Sequence, residues 1–129
     1  MTANEIIRIV DEANLSLPAA FRSESPEALA RFYNGVGADW FPVPLRRAVT
    51  GILERMEPLA FVHDVEFATA PPNYFAFSLA QVRWAYNALL LTIYYQHHRF
   101  RFLLTAWLAA GCCQLGGYRG FREGKRNDR

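Results

Sequence analysis

From Asn73 or Ser78 to Tyr95 the chain is apolar nearly all round, and no Asp or Glu occurs between Glu66 and Glu123. A helix polar on one side can lie on a surface, but one apolar on every side has to be surrounded. Other helices must supply that cover, because no segment shows the apolar/polar alternation of a strand. Leu45, Ala48, Val49, Ile52, Leu53 and Met56 recur at three- and four-residue spacing, with Arg46, Arg47, Glu54 and Arg55 opposite. That spacing predicts an amphipathic helix. Pro58 starts a new helix or kinks this one, and the following turns end near Pro71-Pro72.

Shorter signals complete the outline. Thr2 with Glu5 has the form of a capping box, and Ile6, Ile9, Val10 and Ala13 share a face, so a first helix ends before Pro18. Ser25-Pro26 begins a second, with Leu29, Phe32 and Tyr33 as its apolar stripe and Asn34-Gly35 as its stop. Leu103 to Leu115 reads as a last helix halted by Gly116-Gly117. The expected fold is all-α: a single compact domain of about five helices over residues 1–117, then a frayed basic tail over 118–129. There is no internal repeat or interdomain linker.

Composition narrows the function classes. A chain of 129 residues, 52% hydrophobic, is long and apolar enough for one cored domain and too apolar for disorder. A net charge of +2 argues against nucleic acid as a partner. The charge is unevenly placed. Residues through Phe67 hold six Lys/Arg against ten Asp/Glu, and those from Ala68 hold eight against two. The basic end is either a solvated surface or a contact for phosphate or an anionic lipid surface. Cys112 and Cys113 are adjacent and rarely bridge each other, which favours core thiols and a reducing compartment. The residues from Met1 do not read as a signal peptide. Trp84–Tyr95 and Phe102–Ala110 are too short to span a bilayer. A cytoplasmic location is expected.

His63 and Asp64 stand side by side in an otherwise apolar stretch. Successive helical residues diverge by about 100°, so the two side chains face different ways. Asp64 can hold a cation while His63, a competent base near pH 7, faces water or substrate. Upstream, Gly35 and Gly37 would let a loop turn its carbonyls toward an ion such as Ca²⁺. Plainer readings are a satisfied core histidine, an aspartate paired with Arg83, and glycines that only end a helix.

The order Tyr33-Asn34-Gly35-Val36-Gly37, then Glu57, Ala60, His63-Asp64 and Phe67, resembles the phospholipase A2 superfamily. It is most similar to the disulfide-free viral branch found in parvovirus capsid proteins. The resemblance implies a fold with two central antiparallel helices and a Ca²⁺-dependent phospholipid ester hydrolase. It makes His63 the base that activates water and Asp64 the calcium carboxylate. Carbonyls around Tyr33, Gly35 and Gly37 become the other ligands. A phospholipid or membrane surface is the implied partner. Two departures stand out. Phe67 lacks the hydroxyl of the family's tyrosine, and no acid is available to orient the histidine. Asn87 is the first substitute as His63's partner and Gln81 the second. The departures imply an alternative, a catalytically degenerate interaction or assembly module of a phage or mobile element. Such a module would be virion-associated, with a protein partner or a second copy of itself.

Two further features bear on function. His97-His98 with Arg99 and Arg101 reads as a polar helix end rather than a metal or phosphate site. The aromatics after Pro72, from Phe75 to Trp107, are divided between core and an interfacial lipid or partner surface.

Overall fold

The computed structural model describes residues 1–33, 43–96 and 99–127. Seven helices account for most of them: α1 (Ala3–Glu12), α2 (Ala20–Ser23), α3 (Pro26–Arg31), α4 (Val43–Thr69), α5 (Tyr74–Tyr95), α6 (Arg99–Gly116) and α7 (Tyr118–Asn127). No strand occurs among the described residues, so the all-helical expectation holds. The count exceeds five because α2 is a single short turn and the basic end is helical.

Local chemistry sets the boundaries. Thr2 and Glu5 form the capping box, each side chain bonding the other's backbone N–H. Ser25 caps α3 through the Ala28 N–H, with Pro26 at its first position. Asn73, not Ser78, opens α5, accepting from the Ala76 N–H at 2.8 Å. Gln96 ends α5 in the left-handed conformation at φ 59°. Pro58 neither starts nor stops a helix, for α4 runs through it. α3 ends at Arg31, before the expected stop at Asn34-Gly35, which lies outside the described residues.

The core gathers Ile6, Ile9 and Val10 of α1 and Leu29 of α3. These meet Met56, Leu59, Phe61, Val62 and Val65 of α4, Ala88 and Leu91 of α5, and Phe102 and Ala106 of α6. α5 lies between α4 and α6 and packs against both. Residues 70–73 join α4 to α5, and contacts run from His63–Gln81 to Phe67–Phe77, so the two are antiparallel. α6 turns back along α5 in the same way, with Tyr95 beside Phe102 at one end and Gln114 bonding Tyr74 and Ser78 at the other.

α7 corrects the expectation of a frayed tail. Its Phe121 is buried, with ring centroids 4.8 Å from Phe67 and 5.5 Å from Phe77. A basic helix is anchored because one large apolar side chain fills the gap at the end of the α4–α5 pair. Gly117 makes the sharp entry possible. Its N–H bonds the Cys113 carbonyl, and a Cβ there would meet that oxygen at 2.7 Å. The cysteines also depart from expectation. Both are free, Cys112 is exposed and Cys113 half-buried, so neither is a full core thiol.

Candidate functional site

His63 leaves α4 toward α5 and enters an aromatic cage. Its ring lies 4.0 Å from Phe67 and 5.3 Å from Trp84, centroid to centroid. Trp84 is itself fixed, donating to the Ala106 carbonyl of α6 at 2.7 Å. Phe67, at the position where the resemblance leads one to expect a tyrosine, therefore packs rather than bonds.

The polar partner of His63 is Gln81. Gln81 Nε2 donates to the Phe77 carbonyl at 3.1 Å, which turns Oε1 toward His63 Nε2 at 3.0 Å. An amide oxygen only accepts, so Nε2 carries the imidazole proton and Nδ1 keeps the lone pair. Burial pushes the His63 pKa down to about 4, and the Gln81 bond acts against that shift without cancelling it. The ring is neutral at pH 7, with Nε2 held by Gln81.

Asn87 does not touch His63, which corrects its assignment as the orienting residue. Both ends of its amide go to Ser16: Oδ1 accepts from the Ser16 N–H at 2.7 Å and Nδ2 donates to the Ser16 carbonyl at 2.9 Å. Asn87 thus ties the segment after α1 to α5. Helical-hairpin arithmetic carries the signal that separates the two amides. His63 lies eight residues before Pro71 and Gln81 nine after Pro72, whereas Asn87 lies fifteen after Pro72. Two antiparallel helices joined at the prolines bring residues equidistant from the turn together. Asn87 belongs opposite Met56, two turns away from the histidine.

Arg83 pairs with Glu66 at 3.3 Å, not with Asp64 as a local pairing suggested. Glu66 is buried, and burial raises its pKa while Arg83 lowers it. This partly enclosed ion pair fixes α4 against α5 one turn from His63, and the sequence reading missed it.

Tyr33 packs its ring on Phe61 at 5.4 Å, and its buried hydroxyl has no hydrogen-bond partner among the described residues. Burial raises its pKa most, followed by the negative charges of Glu57 and Asp64. The end of the α3 segment is thereby close to the Asp64 carboxylate. Gly35 and Gly37 lie outside the described residues. Among the described residues, no three His, Cys, Asp or Glu side chains converge as a metal-binding group. The donors in this corner are carboxylate and hydroxyl oxygens, the kind that Ca²⁺ takes. His97 and His98 also lie outside the described residues.

No family model matches the chain, and neither curated proteins nor solved structures yield a match.

Proposed function

We propose that the chain is a Ca²⁺-dependent phospholipid ester hydrolase of phospholipase A2-like design, with His63 as its base. The observation that carries this reading is the contact between His63 Nε2 and Gln81 Oε1. It fixes one tautomer and leaves Nδ1 as the proton acceptor. Nδ1 takes a proton from water, and the resulting hydroxide attacks the ester carbonyl. Gln81 holds the ring in place but, being neutral, stabilises the imidazolium less than a carboxylate would. Asp64, with carbonyls of Tyr33, Gly35 and Gly37, would hold the ion. When bound, Ca²⁺ would offset the negative charge that develops on the carbonyl oxygen. The fold on this reading is the phospholipase A2-like arrangement of two antiparallel helices, α4 and α5, and the partner is a phospholipid surface.

The test is fatty-acid release from vesicles of phosphatidylcholine and phosphatidylglycerol. Release is expected with Ca²⁺, and its loss is expected on chelation and in Asp64→Asn. No release from any lipid mixture overturns the reading.

A second reading has its own observation. A histidine whose pKa burial pushes down to about 4, held by a neutral amide, is also what a degenerate site retains as core. The chain is then an interaction or assembly module, as in a phage particle or mobile element. That reading expects Ca²⁺ to leave the melting temperature unmoved. A Ca²⁺-dependent rise counts against it, because a ligand bound to the folded state alone must stabilise it.

A further inference from the structure

The α5–α6 hairpin carries a second apolar face that the core does not use. On α5, Phe75, Leu79, Val82, Tyr86, Leu89 and Ile93 are all exposed. Their steps are four, three, four, three and four residues. That 3.5-residue repeat keeps a seam aligned with a neighbouring helix over five turns, whereas an unconstrained helix face drifts away from it. On α6, Phe100, Leu104, Trp107, Leu108 and Leu115 are exposed as well. Gly111 interrupts that row with bare backbone, and nothing lies within 4 Å of where its Cβ would stand.

The two rows form one surface. Trp107 reaches across the hairpin and donates from Nε1 to the Ala85 carbonyl at 3.2 Å, so its ring bridges the α6 row to α5. Trp84 makes the reciprocal bond on the inner side. The face is uncharged along α5: the one charged residue of that helix, Arg83, is turned to Glu66.

Size decides what covers it. At about 200 Å² for a large apolar side chain, exposures of 41–91% leave roughly 1,300 Å² of apolar surface on these eleven residues. A monomer's largest patch is typically about 300–600 Å², and a stable dimer needs about 800 Å² from each partner. The α5 row, with no charge to match, is complementary to itself about a two-fold axis, and Arg101 stands only at the edge of the α6 row. An interfacial lipid helix instead borders its apolar face with Lys and Arg along its length, which α5 lacks.

We propose that a second copy of this chain covers the α5–α6 face, the two hairpins forming a four-helix bundle. The proposal does not rest on the hydrolase reading, since the face lies on the side of α5 away from His63.

Sedimentation equilibrium of the full chain tests it. The expected mass is twice that of one chain, returning to one in Val82→Glu/Ile93→Glu with the helical circular dichroism retained. Both sites are exposed in the monomer, and if the double variant does not fold, Phe100→Glu is read in its place with the same expectation. A wild-type chain that stays monomeric up to the highest soluble concentration overturns the proposal, and so does a dimer that survives the substitutions. A monomer that co-sediments with phosphatidylglycerol vesicles through these residues also overturns it and makes the face a lipid surface.

Discussion

At the scale of residues, the account turns on which group holds His63. The Gln81 contact predicts an Nε2–H tautomer, and burial a pKa near 4, both readable from ¹⁵N chemical shifts of the imidazole. An ordinary pKa of 6.5 contradicts it. The shift has a consequence for stability. The unfolded chain takes up a proton between pH 6.5 and 4 that the folded chain refuses. Stability is therefore full above pH 6.5 and falls as the pH drops toward 4, by on the order of 3 kcal/mol. Glu66, whose pKa burial raises, acts in the opposite sense and weakens the fold as pH rises above its unfolded value. The histidine's part is thus measured as the difference between wild type and His63→Leu in denaturant midpoints from pH 7 to 4. Equal slopes in the two proteins would sink the assignment.

At the scale of elements, the two buried amides do different jobs. Asn87→Ala strands the Ser16 N–H and carbonyl and is expected to cost about 1–3 kcal/mol without moving the His63 titration. Gln81→Leu is expected to cost a similar amount and to lower the His63 pKa further, since it removes the one bond that raises it. A shift from Asn87→Ala and none from Gln81→Leu contradicts this division. Gly117→Ala tests the α6–α7 corner. Its Cβ would press on the Cys113 carbonyl, and crowding of this kind costs about 1–3 kcal/mol, measured as a lower melting temperature.

These cases also show how much was legible in the sequence. Caps at Thr2 and Ser25 were readable because side chain and backbone partner lie three residues apart. The choice between Asn87 and Gln81 needed the register of two helices, which the proline turn encodes only once both helices are known to pair. The docking of α7 escaped notice because one phenylalanine among basic residues gives no periodic signal. Of the two readings of Pro58, a new helix start is excluded, since α4 runs through it. The exposed row on α5 was hidden for the opposite reason: a helix apolar all round looks buried, and the sequence alone does not reveal that one face lacks a neighbour.

At the scale of the whole molecule, α4, α5 and α6 form a row in which each gap has its own chemistry. The α4–α5 gap holds the histidine, its amide and the Glu66–Arg83 pair. The α5–α6 gap holds reciprocal tryptophan bonds. The outer face of the hairpin is left for a second copy. No described helix is long and apolar enough to cross a membrane. The central claim is that His63 is a working base rather than a core residue. The rate of fatty-acid release with Ca²⁺, wild type against a folded His63→Ala, tests it most directly. The account predicts a loss of about 10²–10⁴-fold. Release from the variant at the wild-type rate would contradict it.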